Sequence, residues 1–410
     1  MRVVIAPDKF KGSLSAPEVA RHLEAGLRAA AASLGYPIDV LSIPVADGGE
    51  GTVDAAVGAG FERRTVTVTG PTGRSIRAAF AVRGSEAVIE MAAASGLGVL
   101  PDGIPAPLGA TSRGTGELIR AALDAGCRHI VLAIGGSAST DGGSGVLRGL
   151  GARFLDSRFL HADGSEIPDG GGFLAGSDRI DLSALDARLK EASIVLASDV
   201  DNPLLGPHGA AAVFGPQKGA TPADILHLEA GLTHFVAVLG ETIGAHAEDS
   251  ANKAGAGAAG GVGYAALAVL GATRRPGIDI VLEITELDKR LVGADLVITG
   301  EGSLDHQSLA GKTPVGVARA ATRAGIPVIA VCGRTTLEPH EAHLAGLQRI
   351  YPLTELEPDP TVSITRAGWL LEQLGHQIGR HLASEGPPAQ NPALPRTPIL
   401  NSPNKVPDRV

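Results

Sequence analysis

Sulfur and aromatic side chains are scarce in this chain: two cysteines, two methionines, one tryptophan and 3% aromatic residues in 410. Cys127 and Cys332 lie far apart in apolar company. That excludes a disulfide framework and leaves no basis for a thiolate metal cluster, so both read as buried thiols. A net charge of -9 with so few stacking rings excludes a nucleic-acid partner, which needs a basic face. Long apolar runs are missing too. Hydrophobic residues make up 44% of the chain, but much of that is alanine, and glycines or charges break every run before the ~18 residues of a membrane helix. No membrane partner is expected. From Arg2 the chain passes through Val3, Val4 and Ile5 straight to Pro7, Asp8 and Lys9. This apolar stretch is too short for a secretory segment, so a cytoplasmic protein is expected. The 12 histidines show no metal-ligand spacing, and no G-x-S-x-G elbow occurs, which leaves zinc and serine hydrolases without support. A small-molecule partner remains.

What the chain has in abundance is glycine, 56 residues, gathered in loops behind apolar runs. The length suits two domains. Residues 1–7 form a short buried-strand pattern, and Ser15, Pro17 and Glu18 then supply a capping box with proline in the first turn. Val19, Leu23, Leu27 and Ala30 follow at helical spacing, and residues 40–45 form the next strand, completing a βαβ unit. Residues 294–299 and 327–332 are again strand-like around a helical stretch, 315–324. Between these ends, residues 65–69 and 78–82 flank a Gly-Pro-Thr-Gly turn, and 87–91 follow in an antiparallel pattern. The expectation is an α/β protein of two domains. A parallel α/β domain is built from both chain ends, 1–61 plus 288–383, and a mixed α/β domain, 62–287, is inserted. Residues 384–410, rich in proline and without periodicity, are expected to be disordered.

Five groups of residues carry candidate chemistry. The run 135–145 (GGSASTDGGSG), directly behind the apolar stretch 130–134, is a glycine-and-hydroxyl turn that can present bare N–H groups to a phosphate. The loop 46–52 (ADGGEGT) adds Asp47 and Glu50, carboxylates suited to a divalent cation beside that phosphate. Residues 300–313 leave a strand and enter a helix, where open α/β sheets place ligands. Their ending, Gly311, Lys312 and Thr313, matches half a P-loop, but His306 stands where its first glycine belongs. Protein-kinase signatures are absent as well. Glu301 and Asp305 remain as magnesium or general-base carboxylates and Lys312 as a point charge for an anion. Asp199, Asp201 and Asn202 could converge on one cation, or one aspartate could take a hydroxyl proton. Lys9, Lys11 and Arg113 sit in similar loops and could receive a small carboxylate. Residues 255–260 match G-x-G-x-x-G with Asp279 downstream, but polar residues 248–253 precede them where a dinucleotide fingerprint needs a buried strand. A nicotinamide-dependent hydroxy-acid dehydrogenase would rest on that loop alone. A non-catalytic sensor of an anionic metabolite is the other alternative.

Laid side by side, these loops closely resemble the bacterial type I glycerate kinases. The matching stretches are 6–14 (APDKFKGSL), 46–52, 90–97 (EMAAASGL), 111–118 (TSRGTGEL), 135–145, 199–204 (DVDNPL), 214–219 (FGPQKG), 255–261 and 299–318. Two departures are Ser139-Thr140, where threonine-asparagine is common, and Ser303, where arginine is frequent. The proline-rich tail has no counterpart. The resemblance implies ATP-dependent phosphorylation of D-glycerate, with 2-phosphoglycerate as the product. It also implies one flavodoxin-like and one restriction-enzyme-like domain. Phosphoryl transfer asks a protein to align two anions and neutralise charge. On that expectation Gly135, Gly136, Ser137, Ser139, Asp141, Gly142 and Gly143 cradle the ATP phosphates. Asp47, Glu50 or Asp199 holds Mg2+, and Lys9, Lys11 and Arg113 take the glycerate carboxylate. Asp199 or Asp305 acts as general base, with Lys312 as a further catalytic charge. A homo-oligomer is compatible with the sequence.

Overall fold

A computed structural model describes residues 1–156, 165–309 and 311–388. Its strands are β1 Arg2–Pro7, β2 Asp39–Ser42, β3 Glu62–Thr69, β4 Ser75–Arg83, β5 Glu86–Glu90, β6 His129–Ala133, β7 Arg153–Asp156, β8 Ser165–Glu166, β9 Arg179–Asp181, β10 Ser193–Ala197, β11 Thr273–Arg275, β12 Leu296–Leu304, β13 Val328–Thr335 and β14 Arg349–Pro352. They form three sheets of five, six and three strands.

The five-stranded sheet has the order β14-β13-β12-β1-β2 and every neighbouring pair is parallel. It draws its strands from both ends of the chain and has the flavodoxin-like strand order. Val3, Val4 and Ile5 are fully buried, as continuous apolar strands must be when helices cover both faces. Val3 and Ile5 meet Leu23 and Leu27 of helix Ala16–Leu34 and Leu371 and Leu374 of helix Ala367–Glu385. Val4 and Ala6 face the other way, toward Val317, Ala318 and Ala321 of helix Thr313–Arg323. The first helix begins as its sequence indicates: the Ser15 N–H donates to Glu18 Oε2 at 2.9 Å. It ends at Gly35, whose φ of 72° is left-handed.

The six-stranded sheet, β11-β10-β6-β5-β4-β3, comes from the middle of the chain. β3, β4 and β5 are antiparallel, and the remaining pairs are parallel. One face carries the largest apolar cluster, including Phe154, Phe235 and Tyr264. The other is covered by Val53 and Ala56 of helix Thr52–Gly58 and by Ile280 and Ile284 of helix Gly277–Ile284. So the helix that follows β2 packs on the six-stranded sheet. The three-stranded sheet, β8-β7-β9, is antiparallel; its strands are too short to leave a period in the sequence. Among the described residues no helix is long and apolar enough to cross a membrane. The last helix takes in Ser384 and Glu385, which the sequence pattern assigns to the tail; residues 389–410 lie outside the described residues.

Helices Ala16–Leu34 and Ala367–Glu385 cross at glycine. A Cβ on Gly26 would stand 2.1 Å from the Glu372 carbonyl oxygen, a clash with backbone that no rotamer relieves. Gly26→Ala should therefore lower stability by about 1–3 kcal/mol through overpacking. The expected reading is a lower thermal midpoint with an unchanged far-UV spectrum; an unchanged midpoint would contradict this close packing.

Candidate active site

In the five-stranded sheet the chain progresses in opposite directions on either side of the β1–β12 pair. Open α/β sheets bind ligands at such a switch point, beyond the carboxyl ends of the strands. There the structure has a cleft of about 670 Å³. Its walls include the loop after β1 (Asp8 to Lys11), the end of β12 (Glu301 to Ser303), Lys312, Arg334, Asp47, Gly49, Glu50 and the glycines behind β6. The β1–β2 ladder continues past β2: the Ile43 N–H donates to Ile5 O at 2.8 Å and the Val45 N–H to Pro7 O at 3.0 Å, which carries the loop 46–52 to the cleft. That loop touches the next one backbone to backbone. A Cβ on Gly135 would lie 2.8 Å from Gly49 Cα, so only glycine lets the two meet.

Two carboxyl groups lie side by side at the floor. β1 and β12 pair with Pro7 opposite Gly300, and the Asp8 N–H continues the ladder to Gly300 O at 2.8 Å, so Asp8 and Glu301 follow in register. Asp8 is fully engaged. Its Oδ2 accepts the Thr313 hydroxyl at 2.8 Å, and its Oδ1 accepts the Lys9 N–H at 2.6 Å with Lys9 Nζ 3.6 Å away. Burial pushes its pKa up to about 6 against the pull of Lys9. Glu301 is 8% exposed, and burial pushes it up to about 7, with Ser308 and Lys312 pulling back. Its Oε1 is buried and has no hydrogen-bond partner among the described residues. Behind the cleft Glu90 accepts the Val53 N–H at the start of helix Thr52–Gly58, and burial raises it to about 7.

The expected site residues divide between the cleft and the interior. Lys9, Lys11, Asp47, Glu50, Gly135, Gly136 and Lys312 line the cleft. Lys9 Nζ donates to Glu50 O at 2.9 Å. Ser137, Ser139, Asp141, Gly142 and Gly143 are buried behind it. The Asp141 carboxylate accepts the Ser112 N–H and hydroxyl, each at 2.8 Å, and the N–H groups of Gly143 at 3.1 Å and Gly145 at 3.3 Å. It braces the loop from inside, and burial holds its pKa above the usual carboxylate range. Residues 255–261 brace the loop from the far side, with the Gly142 N–H donating to Gly260 O at 2.9 Å. Helix His246–Ala251 precedes them, where a dinucleotide fingerprint requires a strand. Arg113 is held by Asp169 through two bonds of 2.7 and 2.8 Å, away from the cleft lining. Asp305 caps the turn that follows it, accepting the Gln307 N–H at 2.9 Å. Asp199 accepts the Gly277 N–H at 2.9 Å, and a Cβ on Gly277 would stand 2.1 Å from Asp47 O, so Asp199 and Asp47 flank one backbone junction. Among the described residues no set of three or more His, Cys, Asp or Glu side chains converges as a metal site.

Three further residues belong to the site or its support. Asp8 follows β1 directly, a position that alone could have flagged it. Arg334 lines the cleft in register with Ser303 across β12 and β13, its Nε 3.3 Å from Ser303 Oγ. Lys218 is fully buried and donates to Ser137 Oγ at 2.8 Å and Ser139 O at 2.5 Å; burial pushes its pKa down to about 7. Nothing in its local sequence signals that burial.

The raised Glu301 carboxyl has a consequence for stability. Between its ordinary value of 4.5 and about 7 the folded state keeps a proton that the unfolded chain gives up. The group's contribution is thus full below 4.5 and is lost as pH rises to about 7. Asp8, Asp305, Lys312 and Cys332 are the charged or titratable groups that interact with it. Glu301→Gln carries no such proton, so its thermal midpoint relative to the parent should rise across that window. A difference that stays flat with pH would contradict the buried, proton-holding carboxyl.

With this geometry in hand, comparison with known proteins is specific. The family model described as Glycerate kinase family matches residues 3–383. The chain is 47% identical over 358 residues to the glycerate kinase of Bacillus subtilis (strain 168), covering 86% of this chain and 90% of that protein. It is 46% identical over 355 residues to the glycerate 2-kinase of Escherichia coli (strain K12), with the same coverage of 86% and 90%. The crystal structure of the provisionally named glycerate kinase 2 of Salmonella typhimurium LT2 superposes with a TM-score of 0.77 at 44% identity, covering 94% of this chain and 98% of that one. Parallel and mixed sheets, loop motifs and near full-length similarity agree: the chain belongs to the glycerate kinase family.

Proposed function

We propose that this enzyme transfers the γ-phosphoryl group of ATP to D-glycerate with the help of Mg2+, giving 2-phosphoglycerate. The observation that carries the reading is the cleft at the β1–β12 switch point, where cations and carboxylates face glycine backbone. Lys11 and Lys312 line it without an ion pair among the described residues, so both are free to meet anions, one a phosphate and the other the glycerate carboxylate. Lys9 sits among Asp8, Asp47 and Glu50 and chiefly neutralises them. Gly135 and Gly136 offer backbone to the phosphates at the cleft edge. Ser137, Ser139, Asp141, Gly142 and Gly143 serve that role through the shape of the loop they hold, and Arg113 would join it only by leaving Asp169.

Mg2+ is a hard cation that takes one or two carboxylates and completes its shell with water and substrate phosphates. Asp47 and Glu50 line the cleft and suit it in donor chemistry, and Asp199, which interacts with Asp47 as a like charge, would join them only by leaving the Gly277 N–H. When bound, the ion supplies charge neutralisation for the phosphates. The protein's own contribution is alignment: two loops fixed by a glycine contact, a lysine on either side, and a cleft walled by two sheets. The same reading divides the chain into a flavodoxin-like domain, 1–61 plus 288–383, and an inserted mixed domain, 62–287, with helix Thr52–Gly58 of the first segment packed on the sheet of the second. The separate origins of the two large sheets support that division. A cytoplasmic location fits a phosphoryl transfer that consumes ATP.

The decisive assay is incubation with magnesium, ATP and D-glycerate, with the product identified by phosphorus NMR. A 2-phosphoglycerate signal is expected. A 3-phosphoglycerate signal would overturn the position of transfer, and no phosphoglycerate from protein that binds nucleotide would overturn the substrate.

A further inference from the structure

Most carboxylates near the cleft already have an occupation. Both oxygens of Asp8 accept hydrogen bonds, Asp305 caps the turn behind it, and Asp199 is tied to the Gly277 N–H outside the cleft lining. Glu301 is different. It lines the cleft, it is more than nine-tenths buried, and its Oε1 has no partner among the described residues. A buried polar atom left unpaired is costly, and such atoms in a native fold call for an explanation. A hydroxyl brought by a ligand supplies one.

We propose that Glu301 is the general base of the reaction, its free Oε1 accepting the proton of the attacking glycerate hydroxyl. As that proton leaves, the hydroxyl oxygen forms a bond to the γ-phosphorus. The bond from that phosphorus to the β–γ bridging oxygen breaks, and ADP departs with the electron pair. The proton on Glu301 then passes to solvent. This assignment rests on the ATP-dependent reading above and adds to it the residue that receives the proton.

Three features support it. Glu301 stands on β12, in a hydrogen-bonded ladder rather than on a free loop, so its backbone is fixed beside Asp8 at the switch point. Ser308 lies close enough to draw the carboxyl's proton affinity back down, and Oε1 stays open. Lys312 lies close enough to act on its charge, placing a cation where a phosphoryl group would be drawn beside the base. A proton affinity lifted toward neutrality by burial also suits a base working at neutral pH.

Glu301→Gln keeps the shape and removes the base. In the full chain, at saturating ATP, D-glycerate and magnesium, kcat should fall by about 10²–10⁴-fold, while both KM values change by less than about threefold. The loss should persist at any magnesium concentration, and the thermal midpoint at neutral pH should not drop. Turnover within about threefold of the parent would overturn the assignment; so would activity restored by excess magnesium, which would make Glu301 a metal ligand. Glu301→Asp serves if the glutamine variant fails to fold: withdrawing the carboxylate should lower kcat with little change in KM, and an unchanged kcat would overturn the proposal. The parent in the same assay separates the two levels. An active parent with a fully active Glu301→Gln removes only the base, whereas a parent that makes no phosphoglycerate removes the reading beneath it.

Discussion

The pairing of β1 with β12 is the interaction on which the rest of the site depends. Two strands that lie almost 300 residues apart in sequence are locked in parallel register from Val3 and Leu296 to Pro7 and Gly300. Because the ladder runs on to the Asp8 N–H, it delivers Asp8 and Glu301 together at the point where the sheet's progression reverses. Backbone hydrogen bonds in a buried parallel sheet leave little room for slippage, since a one-residue slip would turn every side chain to the opposite face. The alternation of Val3 and Ile5 toward one helical layer and Val4 and Ala6 toward the other enforces that register from both sides.

The buried ionisable groups at and behind the cleft would cost stability without a task. Asp8, Glu301 and Glu90 are carboxyl groups whose burial raises their proton affinity, and Lys218 is an amine whose burial lowers its own. Groups perturbed in this manner gather at sites where charge must be moved or neutralised. Opposed to them is backbone: the 135–136 turn, pressed against Gly49 and held from behind by Asp141, Lys218 and residue 260. The glycine-rich stretches therefore do two different jobs. One faces the cleft; the other supports it from the interior.

Much of this was legible in the sequence. The strand and capped helix at the N-terminus, the hairpin of β3 and β4 and the strands near 296 and 328 declare themselves by short-range periodicity and turn chemistry. Lys9, Lys11, Asp47, Glu50, Gly135 and Gly136 lie in the loops that follow strands, and strand ends are where a parallel sheet puts its ligands; Lys312 stands at the start of helix Thr313–Arg323. What could not be read depends on partners remote in the chain. Arg113 is engaged by Asp169 and Asp141 by Ser112. Lys218 reaches Ser137, 81 residues away. A hydroxyl, an acid or a lysine in a glycine loop looks the same in sequence whether it faces a ligand or the core. The difference between Asp305 and Glu301 is of that kind: the two lie four residues apart in the stretch 300–313, and only packing decides that one caps a turn while the other, still on β12, keeps an oxygen free.

The central claim is that phosphoryl transfer takes place in the cleft between the ends of the two large sheets. Hydrogen exchange measured with ATP and D-glycerate together, and with each alone, tests it most directly. If the claim holds, residues 8–11, 46–52, 135–136 and 301–304 gain protection on addition of both substrates, more than with either alone, because water leaves a closing cleft. Protection confined to other surfaces, or none in these four segments, would contradict it.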